Sequence, residues 1–348
     1  MSILTIVGAG MMGSAMSVPA CDNGHTVRIV GTPLDREIID YAVRHHTHLT
    51  MKRPLPEAVQ YYQVDNLHDA LQGADAVIGG VSSFGVDWFL EHVIPIIPDG
   101  VPVLSVTKGL LDQEDGSLLP FPVYYQQQSH RPLSFNAIGG PCTSYELADR
   151  RHSAVAFCGE DPAILRQLKA LLETEYYHIS LSADVVGVEC AVAMKNAYAL
   201  GVTLAVGMQE QVEGIGCTPA YNPQAALFGQ SVREMGALLR YAGGGAENIV
   251  YGAGDLYVTI FGGRTRKLGT LLGRGLTFVQ AMQELSGVTL ESVAITQRLI
   301  SAVTRAIADG KLQADQFPLL KHIDRLLRQE PTEGIPFHQF ETEMFSSL

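Results

Sequence analysis

Cysteine and charge are scarce in this chain of 348 residues, and each scarcity excludes a class of protein. No two cysteines form a Cys-x-x-Cys pair, which argues against a disulfide framework and a zinc ribbon; they are Cys21, Cys142, Cys158, Cys190 and Cys217. Only 17% of the residues are charged, and 24 basic against 36 acidic residues leave a net charge of −12. Such a chain lacks the basic surface that non-specific nucleic-acid binding needs, although a local basic site for a small anion is allowed.

Three further signals are missing. The opening segment SILTIVGAGMMG has neither the basic region nor the cleavage site of a signal peptide, so we expect a cytoplasmic protein. His45, His46 and His48 have no carboxylate or cysteine at metal-ligand spacing, so we expect no metal and a solvated loop there. No G-x-S-x-G elbow or cysteine nucleophile signature occurs.

Apolar residues, in contrast, are abundant, at 47% of the chain. This excludes intrinsic disorder, and the length predicts two domains at roughly 100–200 residues each. The stretch 185–208 is long and apolar enough to span a bilayer. Glu189, Lys195 and Asn196 lie in its middle and would be costly in lipid, so we expect a buried helix and no membrane insertion.

The two halves of the chain differ in their pattern. The first half alternates helices with unalternating apolar strands, which predicts an α/β domain with a mostly parallel sheet covered on both faces. The predicted strands are 3–7, 26–30, 76–81, 101–106, 135–138, 154–157 and 178–181, and the helices are 11–22 (kinked at Pro19), 66–72, 84–97 and 162–173. The second half predicts an all-α domain with helices 185–208, 222–242, 274–286, 291–308 and 316–329. The domains are therefore 1–183 and 184–330, followed by a tail at 331–348.

A glycine motif follows the first predicted strand. The string GAGMMG matches G-x-G-x-x-G, with Gly8 permitting a tight turn, Gly10 admitting a pyrophosphate and Gly13 packing the helix against the strand. The amides of the helix N-terminus would then bind phosphate, so the motif predicts a dinucleotide site.

The residue at the end of the second predicted strand usually contacts the cofactor's ribose, and its type indicates whether NAD or NADP is used. An NAD enzyme usually has an acidic residue there, but here the acidic Asp35 lies further out. This favours NADP or dual use, with Thr32 or Arg36 near the 2′-phosphate; Arg36 could equally be a solvated charge.

Three polar groups are candidates for chemistry. Lys108 follows the strand at 101–106, at the sheet edge where ligands bind, and the glycines at 139 and 140 end another strand. Lys195 and Asn196 interrupt an apolar helix, where burial would lower the lysine pKa, as in a catalytic lysine. Asp255 and Arg264 lie in a glycine-rich segment, and the arginine suits a phosphate.

Taken in order, these motifs resemble the NAD(P)-dependent sn-glycerol-3-phosphate dehydrogenase family, and most of all its archaeal-type members. The resemblance runs from residue 2 to about residue 327 and is carried by GAGMMG, VTKGL, GGPCTSYELA, AMKNAYAL, GAGDLYVT and GRTRKLG. It implies a Rossmann-type N-terminal domain and a helical C-terminal domain. It also implies interconversion of glycerol 3-phosphate and dihydroxyacetone phosphate with NAD or NADP, for glycerolipid synthesis. We expect a homodimer on general grounds.

The resemblance also implies roles for single residues, with Lys195 as proton donor and acceptor at the C2 oxygen. The implied catalytic residues are Lys195, Asn196, Asp255 and Lys108. The implied substrate contacts are Lys108, Gly140, Lys195, Asp255, Thr259, Arg264 and Thr265. The implied cofactor contacts are Gly8, Gly10, Met11, Met12, Gly13, Thr32, Arg36, Lys108, Ser144, Arg264 and Glu291.

The chain departs from the family pattern at Thr265, where an asparagine is common. This keeps open a dehydrogenase of another polyol or sugar phosphate. A ketopantoate-reductase-like enzyme is a further alternative, although its carboxylate substrate would not need the basic segment at Arg264. A dinucleotide-binding protein without activity would bind the cofactor and show no turnover.

Overall fold

A computed structural model describes residues 1–285 and 291–342. The chain divides into two compact units. The sheet unit comprises residues 1–110 and 119–192, and the helical unit comprises residues 111–118 and the chain from Ala193 onward.

The sheet unit contains one eight-stranded sheet, made of the seven predicted strands and a further edge strand at Gln60–Tyr62 that was not predicted. Its strands are β1 (Ile3–Val7), β2 (Thr26–Val30), β3 (Gln60–Tyr62), β4 (Ala76–Gly79), β5 (Val103–Ser105), β8 (Phe135–Gly139), β9 (Ser153–Cys158) and β10 (Tyr177–Ser182), in the order β10-β9-β8-β5-β4-β1-β2-β3. Two short strands, β6 (Leu110–Asp112) and β7 (Leu118–Pro120), pair separately. Neighbouring strands of the large sheet are parallel except β8 and β9, which are antiparallel. The sheet is thus mostly parallel, and the carboxyl ends of β1, β2, β4, β5 and β8 lie at one edge.

Helices connect these strands, and one more helix follows the last strand. They are α1 (Met11–Ala15), α2 (Ser17–Asp22), α3 (Arg36–His45), α4 (Leu67–Leu71), α5 (Val86–Trp88), α6 (Phe121–Gln128), α7 (Ser144–Ala148), α8 (Pro162–Leu172) and α9 (Val185–Ala193). The predicted helix 11–22 is divided at Met16, because Pro19 has no N–H to offer the carbonyl of Ala15.

The stretch predicted to be helical at 84–97 is helical from residue 83 to residue 96, but it is not one regular α-helix. The segment consists of a 3₁₀ turn at Ser83–Gly85, α5, a π-helix at Phe89–Val93 and a second 3₁₀ turn at Ile94–Ile96. Pro95 cannot donate to the carbonyl of Glu91, so the α-helical pattern cannot continue through this segment.

The helical unit is built from seven helices among the residues described. They are α10 (Lys195–Glu213), α11 (Tyr221–Tyr241), α12 (Ile249–Ile260), α13 (Gly263–Gly273), α14 (Phe278–Glu284), α15 (Glu291–Ala308) and α16 (Pro318–Leu327). The predicted single helix at 185–208 is interrupted at Met194 and continues to Glu213. By length and composition the stretch Val185–Glu213 could cross a membrane, but 83% of its most apolar window is buried in the protein, as predicted for a core helix.

One predicted helix of this unit has the wrong start, and two of its helices are not predicted. The predicted helix 274–286 starts too early, because α13 ends at Gly273 and the Thr277 hydroxyl caps α14, which begins at Phe278; residue 286 lies outside the described residues. The glycine-rich segment around Asp255 and Arg264 contains two helices, α12 and α13, that the sequence pattern did not predict.

Glycines explain how closely α10 and α13 pack against each other. A Cβ on Gly269 would lie 2.0 Å from the Thr203 hydroxyl, and one on Gly273 would lie 2.1 Å from the carbonyl oxygen of Leu204. On α10, a Cβ on Gly207 would lie 2.0 Å from the carbonyl oxygen of Thr270. These glycines therefore let the backbones of α10 and α13 pack directly against each other, and they fix the helix that carries Arg264.

Candidate active site

The glycine loop after β1 has the geometry that the motif predicts. Gly8 has a φ of +106°, and a Cβ there would lie 2.7 Å from the carbonyl carbon of Gly80. A Cβ on Gly13 would lie 2.7 Å from the carbonyl oxygen of Gly8. A Cβ on Gly10, in contrast, would meet its nearest neighbour at an ordinary 3.5 Å, so the packing of the protein does not itself require glycine at this position. A glycine without a packing role suits a backbone that a ligand approaches.

A cavity of about 380 Å³ adjoins this loop. Its lining is mostly apolar and includes Gly10, Thr32, Pro33, Leu34, Asp35, Val81, Phe84 and Trp88. Such a lining beside the glycine loop fits the ring and ribose of a dinucleotide. Met11 and Met12 are partly buried and pack against the hydrophobic core of the sheet unit.

Asp35 turns back toward the end of β2 instead of lying apart from it. Its Oδ2 accepts hydrogen bonds from the amide and the hydroxyl of Thr32, both at 2.8 Å, and from the amide of Ala9 at 3.1 Å. Sequence reasoning missed this position, and the signal that could have found it is the Thr-x-x-Asp spacing, which is typical of a capping box at a helix start. Arg36 pairs with Asp65 through two bonds of 2.8 and 3.0 Å, and both side chains are exposed.

The prediction of a solvated loop at His48 is wrong. The side chain is buried, and its Nε2 lies 2.9 Å from the carbonyl oxygen of Ala9. His45 and His46, in contrast, are exposed. No signal in the local sequence distinguishes the three histidines, because the partner of His48 lies 39 residues away. Within residues 1–285 and 291–342, no group of three or more His, Cys, Asp or Glu side chains could hold a metal ion.

Lys108 lies just beyond the carboxyl end of β5. Its ammonium donates to the carbonyl oxygen of Gly140, at 2.8 Å, just beyond the end of β8. A Cβ on Gly139 would lie 2.4 Å from the Val188 side chain, so this glycine is needed for packing. Ser144 is buried in the first turn of α7.

Lys195 and Asp255 form a largely buried ion pair. The Lys195 ammonium lies 2.5 Å from the Asp255 carboxylate, and their side chains are 15% and 1% exposed. Lys195 begins α10, and Asp255 lies in the middle of α12, where the Thr259 hydroxyl donates to the Asp255 carbonyl oxygen at 2.7 Å. The structure therefore brings Lys195 and Asp255 together across 60 residues, and it holds one ammonium group at a fixed point that solvent can reach.

Comparison with known proteins identifies the family. The family model for the N-terminus of NAD-dependent glycerol-3-phosphate dehydrogenase matches residues 3–164, and the model for its C-terminus matches residues 184–333. The NADP(+)-dependent glycerol-3-phosphate dehydrogenase of Archaeoglobus fulgidus is 33% identical over 330 residues, which cover 93% of this chain and 95% of that protein. The chain belongs to the NAD-dependent glycerol-3-phosphate dehydrogenase family.

Solved structures support the same fold. A glycerol-3-phosphate dehydrogenase structure from Plasmodium falciparum matches with a TM-score of 0.80 and 18% identity, covering 100% of this chain and 96% of that one. The enzyme from Coxiella burnetii matches with a TM-score of 0.79 and 22% identity, covering 97% of each chain. At this identity the structures establish the fold only, and they agree with the predicted sheet domain followed by a helical domain.

The remaining predicted residues of this dehydrogenase family lie at helix starts. Arg264 is exposed and Thr265 is buried, both in the first turn of α13. Asn196 follows Lys195 and is half-buried, and Glu291 begins α15. The substrate and cofactor contacts expected of these residues stay predictions.

Proposed function

We propose that this protein is an NAD(P)-dependent sn-glycerol-3-phosphate dehydrogenase that supplies glycerol phosphate for glycerolipid synthesis. Membership of the family supports the reaction and the use of NAD or NADP. The observation that carries the chemistry is the ion pair between Lys195 and Asp255, which holds a proton donor at a fixed point.

The residues of the sheet unit fit a dinucleotide. Gly10 leaves its side-chain position open beside the 380 Å³ cavity, and the backbone of the glycine loop would bind the pyrophosphate. When bound, the nicotinamide supplies the hydride that reduces C2 of the ketone. Thr32 and the cavity lining would hold the adenosine ribose.

Lys195 would move the proton. During reduction of dihydroxyacetone phosphate, its ammonium donates a proton to the C2 oxygen as that oxygen gains negative charge. During oxidation of glycerol 3-phosphate, the neutral amine accepts the proton from the C2 hydroxyl. Asp255 orients the amine and Arg264 would bind the phosphate of the substrate, which places C2 correctly for reaction.

The decisive assay mixes the purified protein with dihydroxyacetone phosphate and follows the absorbance of NADH and NADPH in separate cuvettes. We expect oxidation of at least one cofactor, and the ratio of the two rates gives the cofactor preference. If neither is oxidised although both bind, the substrate assignment is wrong. A panel of other sugar phosphates, prompted by Thr265, then identifies the phosphorylated ketone that this dehydrogenase reduces.

Two variants test the assigned roles. Lys195→Ala should lose turnover by roughly a thousandfold and keep its affinity for cofactor, because general acid catalysis is typically worth that much. Lys321→Ala, an exposed lysine on α16, is the matched control. Near-normal turnover of Lys195→Ala would exclude the proton-transfer role.

Arg264→Ala should mainly raise KM for the phosphorylated substrate and leave KM for dihydroxyacetone itself unaffected.

We also propose that the protein is a cytoplasmic homodimer. Two exposed aromatic side chains at the end of α12 support the dimer: Tyr257 is 57% exposed, and Phe261, which follows the helix, is 58% exposed. Tyr257 contacts both Phe261 and Phe228 of α11 edge-on. Exposed apolar patches of this kind mark interaction surfaces. Light scattering should give twice the chain mass, and Tyr257→Glu should lower it; a wild-type protein of single-chain mass would refute the dimer.

A further inference from the structure

The backbone around Ala9 is held from two sides. Ala9 lies between Gly8 and Gly10, so its neighbours impose little conformational restraint on the chain. Its amide donates to Asp35 Oδ2 at 3.1 Å, and its carbonyl oxygen lies 2.9 Å from His48 Nε2. The two peptide groups on either side of the Ala9 Cα therefore each have a side-chain partner from a separate part of the sheet unit.

The contacts of His48 fix its orientation and its protonation. Its Nδ1 accepts hydrogen bonds from the amides of Thr50 at 3.1 Å and Met51 at 3.0 Å. Because two N–H groups point at Nδ1, the ring proton is assigned to Nε2, which donates to Ala9. Burial lowers the pKa of His48, although the hydrogen bond to Ala9 and the charge of Asp35 oppose that shift. A neutral ring with its proton on Nε2 gives each of these three hydrogen bonds one donor and one acceptor.

Asp35 links the glycine loop to the end of β2. The oxygen that accepts from Ala9 also accepts from the amide and hydroxyl of Thr32. Gly10, Thr32 and Asp35 all line the 380 Å³ cavity. One carboxylate oxygen thus sets the spacing between two sides of this cavity.

We propose that His48 and Asp35 are positioning residues that hold the Ala9 backbone in the conformation that binds the dinucleotide. This inference rests on the proposed function, because it assigns the glycine loop to the cofactor. Neither side chain takes part in hydride or proton transfer. They hold in one conformation a loop that its glycines would otherwise leave flexible. Less conformational entropy is then lost when the cofactor binds.

The test compares His48→Ala, His48→Gln and the control His45→Ala. His45 lies in the same segment, but its side chain is exposed and contacts only the Tyr41 ring among the contacts described. Direct fluorescence titration gives Kd for NADH and NADPH without any need for turnover. We expect His48→Ala to raise both Kd values about tenfold, the worth of one buried hydrogen bond, and His48→Gln to rise less because its amide can still donate to Ala9.

The split between kinetic constants separates positioning from a general structural role. At saturating cofactor, His48→Ala should keep kcat within about twofold and leave KM for the ketone unchanged. A His48→Ala protein whose cofactor Kd equals that of wild type overturns the proposal, and so does one that loses kcat and cofactor affinity alike.

Asp35→Asn provides a second variant on a different element, should His48→Ala fail to fold. Positioning through Ala9 predicts that Kd for NADH and NADPH rises by the same factor, since the glycine loop would bind the pyrophosphate, which both cofactors share. A change in the ratio of the two Kd values instead assigns Asp35 to direct ribose recognition and overturns its positioning role. If the wild type binds both cofactors but reduces no ketone, the proposed reaction fails while these binding comparisons still stand.

Discussion

Asp255 determines where the Lys195 ammonium lies. It is the more deeply buried member of the pair, and the hydrogen bond from Thr259 ties its backbone within α12. A lysine side chain has four rotatable carbons and would otherwise sample many positions. The carboxylate restricts that sampling at the point where a proton donor is required.

At the residue scale we predict that Asp255→Asn lowers kcat by about a hundredfold and leaves cofactor Kd unchanged, because the amide cannot hold the ammonium by charge. The matched control is Glu210→Gln, which breaks the 2.7 Å pair between Glu210 and Arg274 in the same unit. Steady-state kinetics and fluorescence titration measure both quantities. Equal kinetics in the two variants would show that Asp255 has no special role.

Contact between helix backbones organises the helical unit at the scale of its elements. Gly207, Gly269 and Gly273 remove the side chains that would separate α10 from α13. Because Lys195 begins α10 and Arg264 lies in the first turn of α13, this packing fixes the relative positions of the two helices that carry predicted site residues.

We predict that Gly273→Ala lowers the free energy of unfolding by about 3 kcal/mol, since the new methyl group meets the backbone of Leu204 and neither helix can yield. Gly229→Ala is the control, because nothing lies within 4 Å of its Cβ position on α11. That substitution should raise the free energy of unfolding by about 0.5–1 kcal/mol through helix propensity. Denaturant unfolding followed by circular dichroism measures both; a harmless Gly273→Ala would refute the close packing.

One buried carboxyl makes the stability of the whole molecule depend on pH. Glu234 on α11 accepts hydrogen bonds from the amides of Leu319 and Leu320, at 2.8 and 3.0 Å, at the start of α16. Burial raises the pKa of Glu234 to about 7, although hydrogen bonds from Gln230, Leu319 and Leu320 act to lower it. The folded protein therefore holds this proton more tightly than the unfolded chain does.

The sign of the effect follows from linkage. The contribution of Glu234 to stability is complete below its ordinary pKa of 4.5 and is lost as the pH rises through about 7. Relative to Glu234→Gln, the wild-type free energy of unfolding should fall between these values by up to about 1.4 kcal/mol per pH unit. Far-UV circular dichroism is the probe, because the single tryptophan, Trp88, lies in the sheet unit. The control Glu284→Gln changes an exposed side chain and should keep the wild-type dependence of the free energy of unfolding on pH. If Glu234→Gln shows the same pH dependence as the wild type, the prediction is wrong.

Local patterns were sufficient for some elements and failed for others. Short runs of β-branched residues predicted β1 and β2 with their exact bounds, because a buried parallel strand needs only a continuous apolar run. The same reasoning missed α12 and α13, whose glycines resemble a loop in sequence. Those glycines serve contacts with α10, which no local pattern contains.

By itself, the sequence determined the mostly parallel sheet, the helical second half, the glycine loop and the family, since each depends on periodicity or on a string of neighbouring residues. Lys195 and Asp255 could be named from their motifs, but only the tertiary structure paired them across 60 residues. Only the tertiary structure, too, distinguished His48 from His45 and His46 and turned Asp35 toward Ala9. The physical reason is that a hydrogen bond between distant segments depends on how the chain folds around them, and the amino-acid types of either segment do not record it.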